Sequence, residues 1–306
     1  MKVSIVGGTG FVGSYIVDRL CSDGHEVRVL TRPGSEHRVP APALSVPGDV
    51  GDPEALRTCL DGADAAIYNI GILREDPAHG VTFDALQRRG AERTIELAEE
   101  RGVRRFLLMS ANGIDAAETG YQTTKLAAEE RLKASSLAWT IFRPSVIFGD
   151  PRGRMEFCTQ LKSDLIESPL PAPLFFSGLS PLDAGGFHMA PVYAEDVAAA
   201  FAGSLTRDDS VGQTYHLCGP EALTWKEILR RIAAAAGTSK LMLPAPVMLI
   251  APVAALLGRF SWFPVTRDQL VMLLAGNTCD TDDGLRRLDI APTRFDDEAL
   301  GYLRAH

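Results

Sequence analysis

The sequence predicts an α/β fold with a doubly wound parallel sheet and a smaller, mostly helical C-terminal lobe. Along the first half of the chain, short apolar runs alternate with amphipathic stretches, which is typical of βαβ units. A glycine-rich turn separates the first apolar run from the first helical pattern, as it does in many sheets of this class. With 306 residues, 46% of them hydrophobic, the chain can bury one large core and a second lobe.

Strands and helices are predicted to alternate up to about residue 145. The strand candidates are Val3–Val6, Glu26–Leu30, Ala43–Val46, Ala65–Asn69, Arg105–Met109 and Trp139–Phe142. The helical stretches are Phe11–Ser22, Pro53–Leu60, Phe83–Arg101 and Tyr121–Ala134. This alternation predicts parallel strands joined by helical crossovers.

The pattern changes after the sixth strand. Proline, glycine and serine break regular structure over residues 150–186. A further strand and helix are predicted at Phe187–Leu205, followed by a short strand at Thr214–Cys218. Thr224 begins a capping-box pattern that predicts a helix ending near Ala236.

The segment Leu241–Gly258 contains no charged residue. Three interpretations remain open: a buried helix of the second lobe, a hydrophobic surface that docks on a membrane or protein partner, and a transmembrane helix. Proline interrupts the segment at Pro244, Pro246 and Pro252, which disfavours a continuous membrane span.

Composition disfavours two classes of site. The formal net charge of −8 argues against a nucleic-acid-binding surface, which needs clustered Lys and Arg. The cysteines and histidines show no metal-ligand or redox spacing, so we expect no metal site and reduced thiols in the cytoplasm. The cysteines are Cys21, Cys59, Cys158, Cys218 and Cys279. Because Met1 and Lys2 run directly into an apolar strand, we expect no signal peptide.

The glycine turn predicts a dinucleotide-binding loop. Gly7 follows the first strand, and Gly10 and Gly13 come three and six residues later. A Cβ at these positions would hold a pyrophosphate away from the backbone N–H groups and the positive helix N-terminus. The strand before the turn and the amphipathic helix after it distinguish this turn from an ordinary glycine-rich one. The expected contacts are Gly7, Thr9, Gly10, Phe11, Val12 and Gly13.

Arg32 stands near the end of the second strand, where an NAD site typically places Asp or Glu. A guanidinium cannot accept a hydrogen bond from a ribose hydroxyl, but it can pair with a 2′-phosphate. We therefore expect NADP(H) in preference to NAD(H). A solvated arginine beside Glu36 is the alternative interpretation.

Residues after the third and fourth strands fit the same ligand. Asp49 and Val50 follow the third strand, where a carboxylate can accept from an adenine amino group. Asp49 could equally cap the helix that begins at Pro53. Asn69 and Gly71 follow the fourth strand, where small residues let the backbone pass close to adenosine and ribose.

Tyr121 and Lys125 lie four residues apart and so on one face of a predicted helix. A free phenol has a pKa of about 10, and a neighbouring ammonium favours the phenolate. Tyr121 can then exchange a proton with the oxygen on the carbon that exchanges hydride, while Lys125 holds the nicotinamide ribose. Ser110 ends the fifth strand, where its hydroxyl can polarise a substrate carbonyl, and Asn112 is the alternative for that role.

These motifs resemble the short-chain dehydrogenase/reductase superfamily, above all its extended and atypical members among the NAD-dependent epimerase/dehydratases and NmrA-like proteins. Beyond residue 230, one further stretch is similar to the branch that includes the NADPH-carrying accessory subunit of respiratory complex I. The residues that carry the resemblance are the glycine turn, Tyr121-xxx-Lys125, Arg143–Gly149, Pro191–Ala198, His216–Pro220 and, for the complex I branch, Phe263–Leu270.

The resemblance implies that Tyr121 is the acid/base, Lys125 its partner and Ser110 the group that orients a carbonyl. It further implies that Pro144 to Val146 lie along the nicotinamide and that the C-terminal lobe covers the substrate. Gln87 departs from the family pattern, because many members carry Asn at that place. The interval between the serine and the tyrosine is also shorter than in sugar epimerases.

The first functional interpretation is an NADP(H)-dependent oxidoreductase or epimerase-like enzyme that acts on a small carbonyl or hydroxyl compound. Residues 1–150, completed by 187–218, are then the NAD(P)-binding Rossmann domain, and 151–306 the substrate-binding region and helical lobe. Arg154 and His188 are candidate substrate contacts. The expected compartment is the cytoplasm.

The alternative is a non-catalytic NADPH-binding protein with a structural, assembly or redox-sensing role. It would dock on a respiratory complex or a membrane through residues 241–263, and it would then be membrane-associated. The charge-free segment and Gln87 favour this interpretation.

Overall fold

The computed structural model describes residues 1–178, 180–250, 267–279 and 284–304. The strands are β1 (Lys2–Val6), β2 (Glu26–Thr31), β3 (Leu44–Pro47), β4 (Ala65–Tyr68), β5 (Arg105–Met109), β6 (Ala138–Pro144), β7 (Ile147–Phe148), β8 (Ala172–Phe176), β9 (His188–Met189), β10 (Val192–Tyr193), β11 (Gln213–Leu217), β12 (Leu223–Thr224) and β13 (Met242–Pro246). The α-helices are α1 (Phe11–Ser22), α2 (Pro53–Leu60), α3 (Gly90–Glu100), α4 (Gly120–Lys133), α5 (Phe157–Leu161), α6 (Ala194–Ser204), α7 (Trp225–Ala235), α8 (Arg267–Ala275) and α9 (Gly284–Arg287).

Short 3-10 and π-helical turns complete the secondary structure. The π turns are Asp84–Arg89 and Lys162–Ile166. The 3-10 turns are Glu36–Arg38, Pro77–His79, Ile114–Ala116, Pro181–Asp183, Asp208–Ser210 and Gly301–Arg304.

The chain divides into two compact units. The first comprises Met1–Pro144, Ala194–Leu217 and Thr281–Ala291. The second comprises Ser145–Tyr193, Cys218–Asp280 and Pro292–His306. Residues 187–193, which we expected to complete the first domain, thus fall in the second unit.

A seven-stranded parallel sheet forms the centre of the first unit, in the order β11-β6-β5-β4-β1-β2-β3. The strand order reverses beside β1, since β2 and β3 extend to one side and β4 to the other. In sheets of this class, ligands bind at the carboxyl ends of the strands where the order reverses. The predicted doubly wound sheet is therefore confirmed, and its switch point lies between β1 and β4.

Helices cover both faces of this sheet. Side chains alternate along each strand, so one set faces α2, α3 and α4 and the other faces α1 and α6. On the second face, the rings of Phe142 and Phe201 pack with centroids 4.3 Å apart. Strands β4 and β5 are buried along their whole length, as expected of central parallel strands.

The predicted helix over Phe83–Arg101 is not continuous. Asp84–Arg89 forms a π turn before α3 begins at Gly90. The buried Tyr68 hydroxyl donates to the Leu86 carbonyl within this turn, so a side chain on β4 contacts the irregular backbone. Such turns often occur at functional sites.

The second unit contains three short strand pairs, β7 with β10, β8 with β13 and β9 with β12. Its core includes Trp225 and Ile228 on α7 together with Phe148 and Phe295. The capping box predicted at Thr224 is confirmed, with Glu227 as its reciprocal partner.

A disulfide joins Cys218 and Cys279, whose Cα atoms lie 6.0 Å apart. The expectation of reduced thiols is therefore wrong for this pair. The two residues are 61 positions apart in sequence, and only the folding of the second unit brings them together. Cys21, Cys59 and Cys158 are free thiols.

The charge-free segment does not begin as a buried helix. Met242–Pro246 is a strand, paired in parallel with β8, and Leu243 is exposed. The helix interpretation is wrong for this part because Pro244 and Pro246 are compatible with an edge strand but not with a helix interior. Residues 251–258 of the segment lie outside the described residues. No helix in the described parts of the chain has the length and apolar content needed to cross a bilayer.

Candidate functional site

The glycine turn joins the carboxyl end of β1 to α1. Gly10 N donates to Gly7 O at 3.2 Å, and Ser14 N donates to Gly10 O at 3.0 Å. Gly7 has φ +92°, a conformation that side chains rarely adopt. A Cβ on Gly13 would lie 2.8 Å from Gly8 Cα and closer still to Gly7 O. The turn and the helix therefore pack backbone against backbone.

The N-terminus of α1 suits an anion. Its N-cap, Gly10, has no side chain to bond the first N–H groups, and its first turn holds no acidic residue. The positive end of the helix dipole then favours a negatively charged ligand. Thr9, Phe11 and Val12 lie partly buried in the same turn. Cβ atoms on the glycines of this turn would fill the space above it. Without them, the space fits the diphosphate of a dinucleotide.

Arg32 follows β2 as an exposed side chain. The strand ends on buried Thr31, whose hydroxyl donates to Val29 O at 2.9 Å. Ser35 N donates to Arg32 O at 3.0 Å and closes a turn there. Arg32 is therefore an exposed residue directly after the carboxyl end of β2.

Asp49 does not cap α2. Asp52 is the cap, and its Oδ1 accepts from Glu54 N at 2.9 Å. Asp49 Oδ1 accepts instead from Gly51 N at 2.8 Å, in an exposed loop beside buried Val50. The helix-cap alternative for Asp49 is therefore wrong.

The end of β4 passes directly beside the glycine turn. Asn69 N donates to Val6 O at 2.8 Å, and a Cβ on Gly7 would lie 2.7 Å from Asn69 O. Gly71 is exposed two residues later, and a Cβ there would lie 3.7 Å from Lys125 Nζ. The structure thus brings residues after β1 and β4 together with the predicted lysine.

Tyr121 lies in the first turn of α4. Thr119 caps this helix in a reciprocal capping box with Gln122. The Tyr121 ring packs edge-on against Phe83, with centroids 5.9 Å apart. Burial raises the pKa of the Tyr121 phenol to about 12. This direction is opposite to the one expected from the sequence, where a neighbouring ammonium was to favour the phenolate, and burial is its cause.

Lys125 follows one turn later and is 3% exposed. Its Nζ donates to Met109 O at 2.8 Å and to Ile70 O at 3.0 Å, so it bridges the ends of β5 and β4. Burial lowers the pKa of the ammonium to about 8, and the Glu129 carboxylate opposes this shift.

Ser110 follows β5 and is 3% exposed, with its N donating to Phe142 O at 2.7 Å. Within the described residues, its hydroxyl has no hydrogen-bond partner of good geometry, although it helps to lower the pKa of the Glu129 carboxyl. Such a hydroxyl is suited to a ligand oxygen. The rival residue Asn112 bonds through Oδ1 to His216 Nδ1 at 2.8 Å.

Gln87 lies in the π turn and is 1% exposed. Its Nε2 donates to Ile72 O at 2.8 Å, and its Oε1 accepts from Thr124 Oγ1 at 3.1 Å. The amide therefore joins the segment after β4 to α4, next to Lys125 in the chain. The residue that departs from the family pattern holds these two elements together.

A buried ion network that was not predicted from the sequence lies next to this site. Glu129 on α4 is 0% exposed and accepts two hydrogen bonds of 2.8 Å from Arg143 on β6. Burial raises the pKa of the Glu129 carboxyl, but the bonds from Arg143 and the nearby Ser110 lower it overall. The i, i+4 spacing of Lys125 and Glu129 was a signal that could have found it.

The four remaining residues predicted to contact nicotinamide or substrate are divided between the two units. Pro144 ends β6 in the first unit, whereas Val146, Arg154 and His188 belong to the second unit. Their roles toward nicotinamide and substrate stay predictions. Within the described ranges, no group of three or more His, Cys, Asp or Glu could hold a metal ion.

Comparison with known proteins places these features in a family. A family model described as NAD(P)H-binding matches residues 7–165. The chain is 30% identical over 240 residues to the mitochondrial NADH dehydrogenase (ubiquinone) 1 alpha subcomplex subunit 9 of Arabidopsis thaliana, covering 74% of this chain and 55% of that one. It is 32% identical over 149 residues to the ceramide reductase of Caulobacter vibrioides, covering 48% and 46%. The chain thus spans about half the length of these curated relatives.

A solved structure shows the same fold. The UDP-glucose 4-epimerase of Thermus thermophilus, in complex with NAD, has a TM-score of 0.75 and 20% identity and covers 100% of this chain and 98% of its own. The matched family model spans slightly more than half of the chain, from the glycine turn past Tyr121 and Lys125. The chain therefore belongs to the NAD(P)H-binding family.

Proposed function

We propose that this protein is an NADP(H)-dependent oxidoreductase or epimerase-like enzyme that acts on a small carbonyl or hydroxyl compound. The observation that carries the proposal is the buried Lys125 ammonium, held by the Met109 and Ile70 carbonyls one helical turn from Tyr121. Two of its three N–H donors are used by these carbonyls, which leaves one for a ribose hydroxyl. The relative named ceramide reductase supports an enzymatic role.

Tyr121 and Ser110 act on the substrate oxygen in the proposed reaction. A bound nicotinamide supplies or accepts the hydride. Tyr121 Oη exchanges a proton with the substrate oxygen, and its pKa of about 12 keeps the phenol protonated at pH 7. That state suits carbonyl reduction, in which the oxygen must gain a proton. Ser110 Oγ donates a hydrogen bond to the same oxygen.

The proposed preference for NADP(H) over NAD(H) depends on the positive charge of Arg32. Gly7 to Gly13 cradle the diphosphate, and Arg32 pairs with a 2′-phosphate from the exposed end of β2. Asn69, Gly71 and Asp49 with Val50 line the adenosine side. We therefore propose NADP(H) as the preferred dinucleotide.

The experiment follows NADPH oxidation at 340 nm with a panel of small aldehydes and ketones. Tyr121→Phe is expected to lower kcat by about 100-fold or more, with little change in the NADPH dissociation constant. Tyr215→Phe is the matched control, since it keeps the ring that Arg287 covers at 4.7 Å. Full turnover by Tyr121→Phe would refute the assigned acid. Tight NADPH binding without turnover on any compound would refute the enzymatic proposal.

A second candidate function is an NADPH-binding protein that docks on a respiratory complex or a membrane. It is favoured by apolar side chains that are exposed on the described part of residues 241–263. These are Leu241 at 65%, Leu243 at 49%, Met248 at 64% and Leu249 at 68% exposure. The relative named as a subunit of NADH dehydrogenase supports it as well.

Flotation with anionic phospholipid vesicles tests the membrane form of this candidate. The wild-type protein should float with the vesicles, and the double variant Leu241→Ser/Leu243→Ser should not. Leu44→Ser, which removes an exposed leucine from the first unit, is the control. Wild-type protein that stays at the bottom of the gradient contradicts membrane docking.

A further inference from the structure

In the ion network next to Lys125, Arg143 binds the carboxylates of Glu129 and Asp115 at the same time, and we call these three residues the clamp. Arg143 Nε and Nη2 each donate to a different oxygen of Glu129 at 2.8 Å. Arg143 Nη1 and Nη2 also donate to the two oxygens of Asp115, at 2.7 and 3.1 Å. Asp115 lies in the loop between Ser110 and Tyr121, so one guanidinium ties that loop to α4.

We infer that Glu129, clamped by Arg143, is a positioning residue that keeps the buried Lys125 ammonium charged and so sets the pH range of dinucleotide binding. The inference rests on the proposed role of Lys125 in holding the nicotinamide ribose. It assigns Glu129 no contact with cofactor or substrate.

The arrangement of charges supports this role. Stability alone gives little reason to bury a carboxylate with a guanidinium, because removing both charges from water offsets most of their attraction. Lys125 in turn is buried with hydrogen bonds to two neutral carbonyls. Glu129 follows four residues later, on the same face of α4. The carboxylate therefore supplies the negative charge that the carbonyls cannot.

Other titratable groups on the elements around Lys125 do not replace it. Of the groups in this region, Glu129 is the one that raises the pKa of Lys125 against the effect of burial. Asp115 is two-thirds exposed and occupied by Arg143, so water screens its charge. The region also contains Tyr121 on α4, Asp115 after β5 and Tyr68 on β4. Two cations pair with Glu129 itself, Arg143 at 2.8 Å and the less buried Lys133 at 3.2 Å.

The direction of the pH effect follows from these contacts. Burial lowers the pKa of Lys125 to about 8 in the folded protein. Below that pH the ammonium donates its remaining N–H to a ribose hydroxyl, and above it the neutral amine binds that hydroxyl more weakly. Without the charge of Glu129 the pKa falls further, and binding is then lost at a lower pH. At the spacing of one helical turn, one charge is expected to move the midpoint by about one to two pH units.

The test measures the NADPH dissociation constant by fluorescence between pH 6.5 and 10. Wild-type affinity should decline with a midpoint near pH 8, and Glu129→Gln should move that midpoint down by at least about one unit. Glu130→Gln is the matched control, because Glu130 is the next residue of α4 and is exposed. It should leave the midpoint unchanged. An unchanged midpoint in folded Glu129→Gln overturns the inference.

Two further variants keep the test decisive if Glu129→Gln unfolds. Glu129→Gln/Arg143→Met removes both buried charges and should still lower the midpoint in a folded protein, though by less than Glu129→Gln, because the lost Arg143 cation had opposed the Lys125 ammonium. Glu129→Asp keeps the charge and should restore a midpoint near that of the wild type. A wild-type midpoint in the folded double variant also overturns the inference.

Lys125→Met separates this inference from the proposed function. Weak, pH-independent binding of NADPH by Lys125→Met supports the role of the lysine. If Glu129→Gln then keeps the wild-type midpoint, only the positioning role of Glu129 is refuted, and the proposed function stands. If Lys125→Met binds NADPH as the wild type does, the proposed site itself fails.

Discussion

Replacement of Gly13 by alanine adds one methyl group where the glycine turn meets the first turn of α1. The new Cβ would lie 2.8 Å from Gly8 Cα, 3.0 Å from Asn69 Nδ2 and closer still to Gly7 O. Ordinary van der Waals contact begins at 3.4 Å, so the turn and the helix must separate by more than about 0.6 Å. Because two of these contacts are with backbone, no side-chain rotation relieves them.

This separation affects both stability and binding. Overpacking of this kind costs about 1–3 kcal/mol of unfolding free energy. It also displaces the N–H groups that would face the diphosphate of the proposed NADPH, and each hydrogen bond to a charged group contributes about 1.5–3 kcal/mol. Loss of one such bond corresponds to an increase of about 10- to 100-fold in the NADPH dissociation constant.

Calorimetric titration with NADPH and urea unfolding measure the two effects of Gly13→Ala. Gly203→Ala is the control, since Gly203 is exposed in α6 and a Cβ there meets no atom within 4 Å. The control should bind NADPH normally and gain up to about 1 kcal/mol of stability from helix propensity. Wild-type affinity in Gly13→Ala would refute the assignment of this turn to the dinucleotide.

Two other predictions concern charge and covalent structure. Arg32→Ser should raise the dissociation constant of NADPH about tenfold or more and leave that of NADH nearly unchanged, because only the former carries a 2′-phosphate. Equal effects on both dinucleotides, measured by fluorescence titration, would contradict this assignment. Cys218→Ser should lower the unfolding free energy by about 4 kcal/mol in oxidising buffer, since Cys218 and Cys279 close a loop across 61 positions. Urea unfolding compares it with Cys21→Ser, which removes a free thiol, and equal stability of the two variants would contradict the prediction.

Local sequence was sufficient to predict the sheet of the first unit. β5 and α1 have the predicted bounds, Arg105–Met109 and Phe11–Ser22, because short apolar runs and helical periodicity report burial directly. Two of the departures from the predicted secondary structure depend on distant partners. The π turn at Asp84–Arg89 lies against Tyr68 of β4, and the strand Met242–Pro246 exists by pairing with β8.

In the candidate site, too, some features could be predicted from local sequence and others depend on distant partners. The glycine turn and the Tyr121–Lys125 pair are short motifs, and the spacing of their residues along the chain is enough to recognise them. The clamp joins Arg143 to Glu129 and Asp115, which are 14 and 28 positions away. The i, i+4 spacing of Lys125 and Glu129 could have singled out Glu129, but no local pattern specifies contacts across 14 or 28 positions, so its pairing with Arg143 could not be derived from the sequence.

By itself, the sequence determined the parallel sheet, the glycine turn that we propose as the dinucleotide-binding loop, and the placement of a tyrosine and a lysine on one helical face. Tertiary structure alone decided which charges are buried together. Burial lowers the pKa of Lys125 to about 8 and raises that of Tyr121 to about 12. These shifts depend on how much water the surrounding atoms remove and on which charges remain nearby, and only the folded chain defines both.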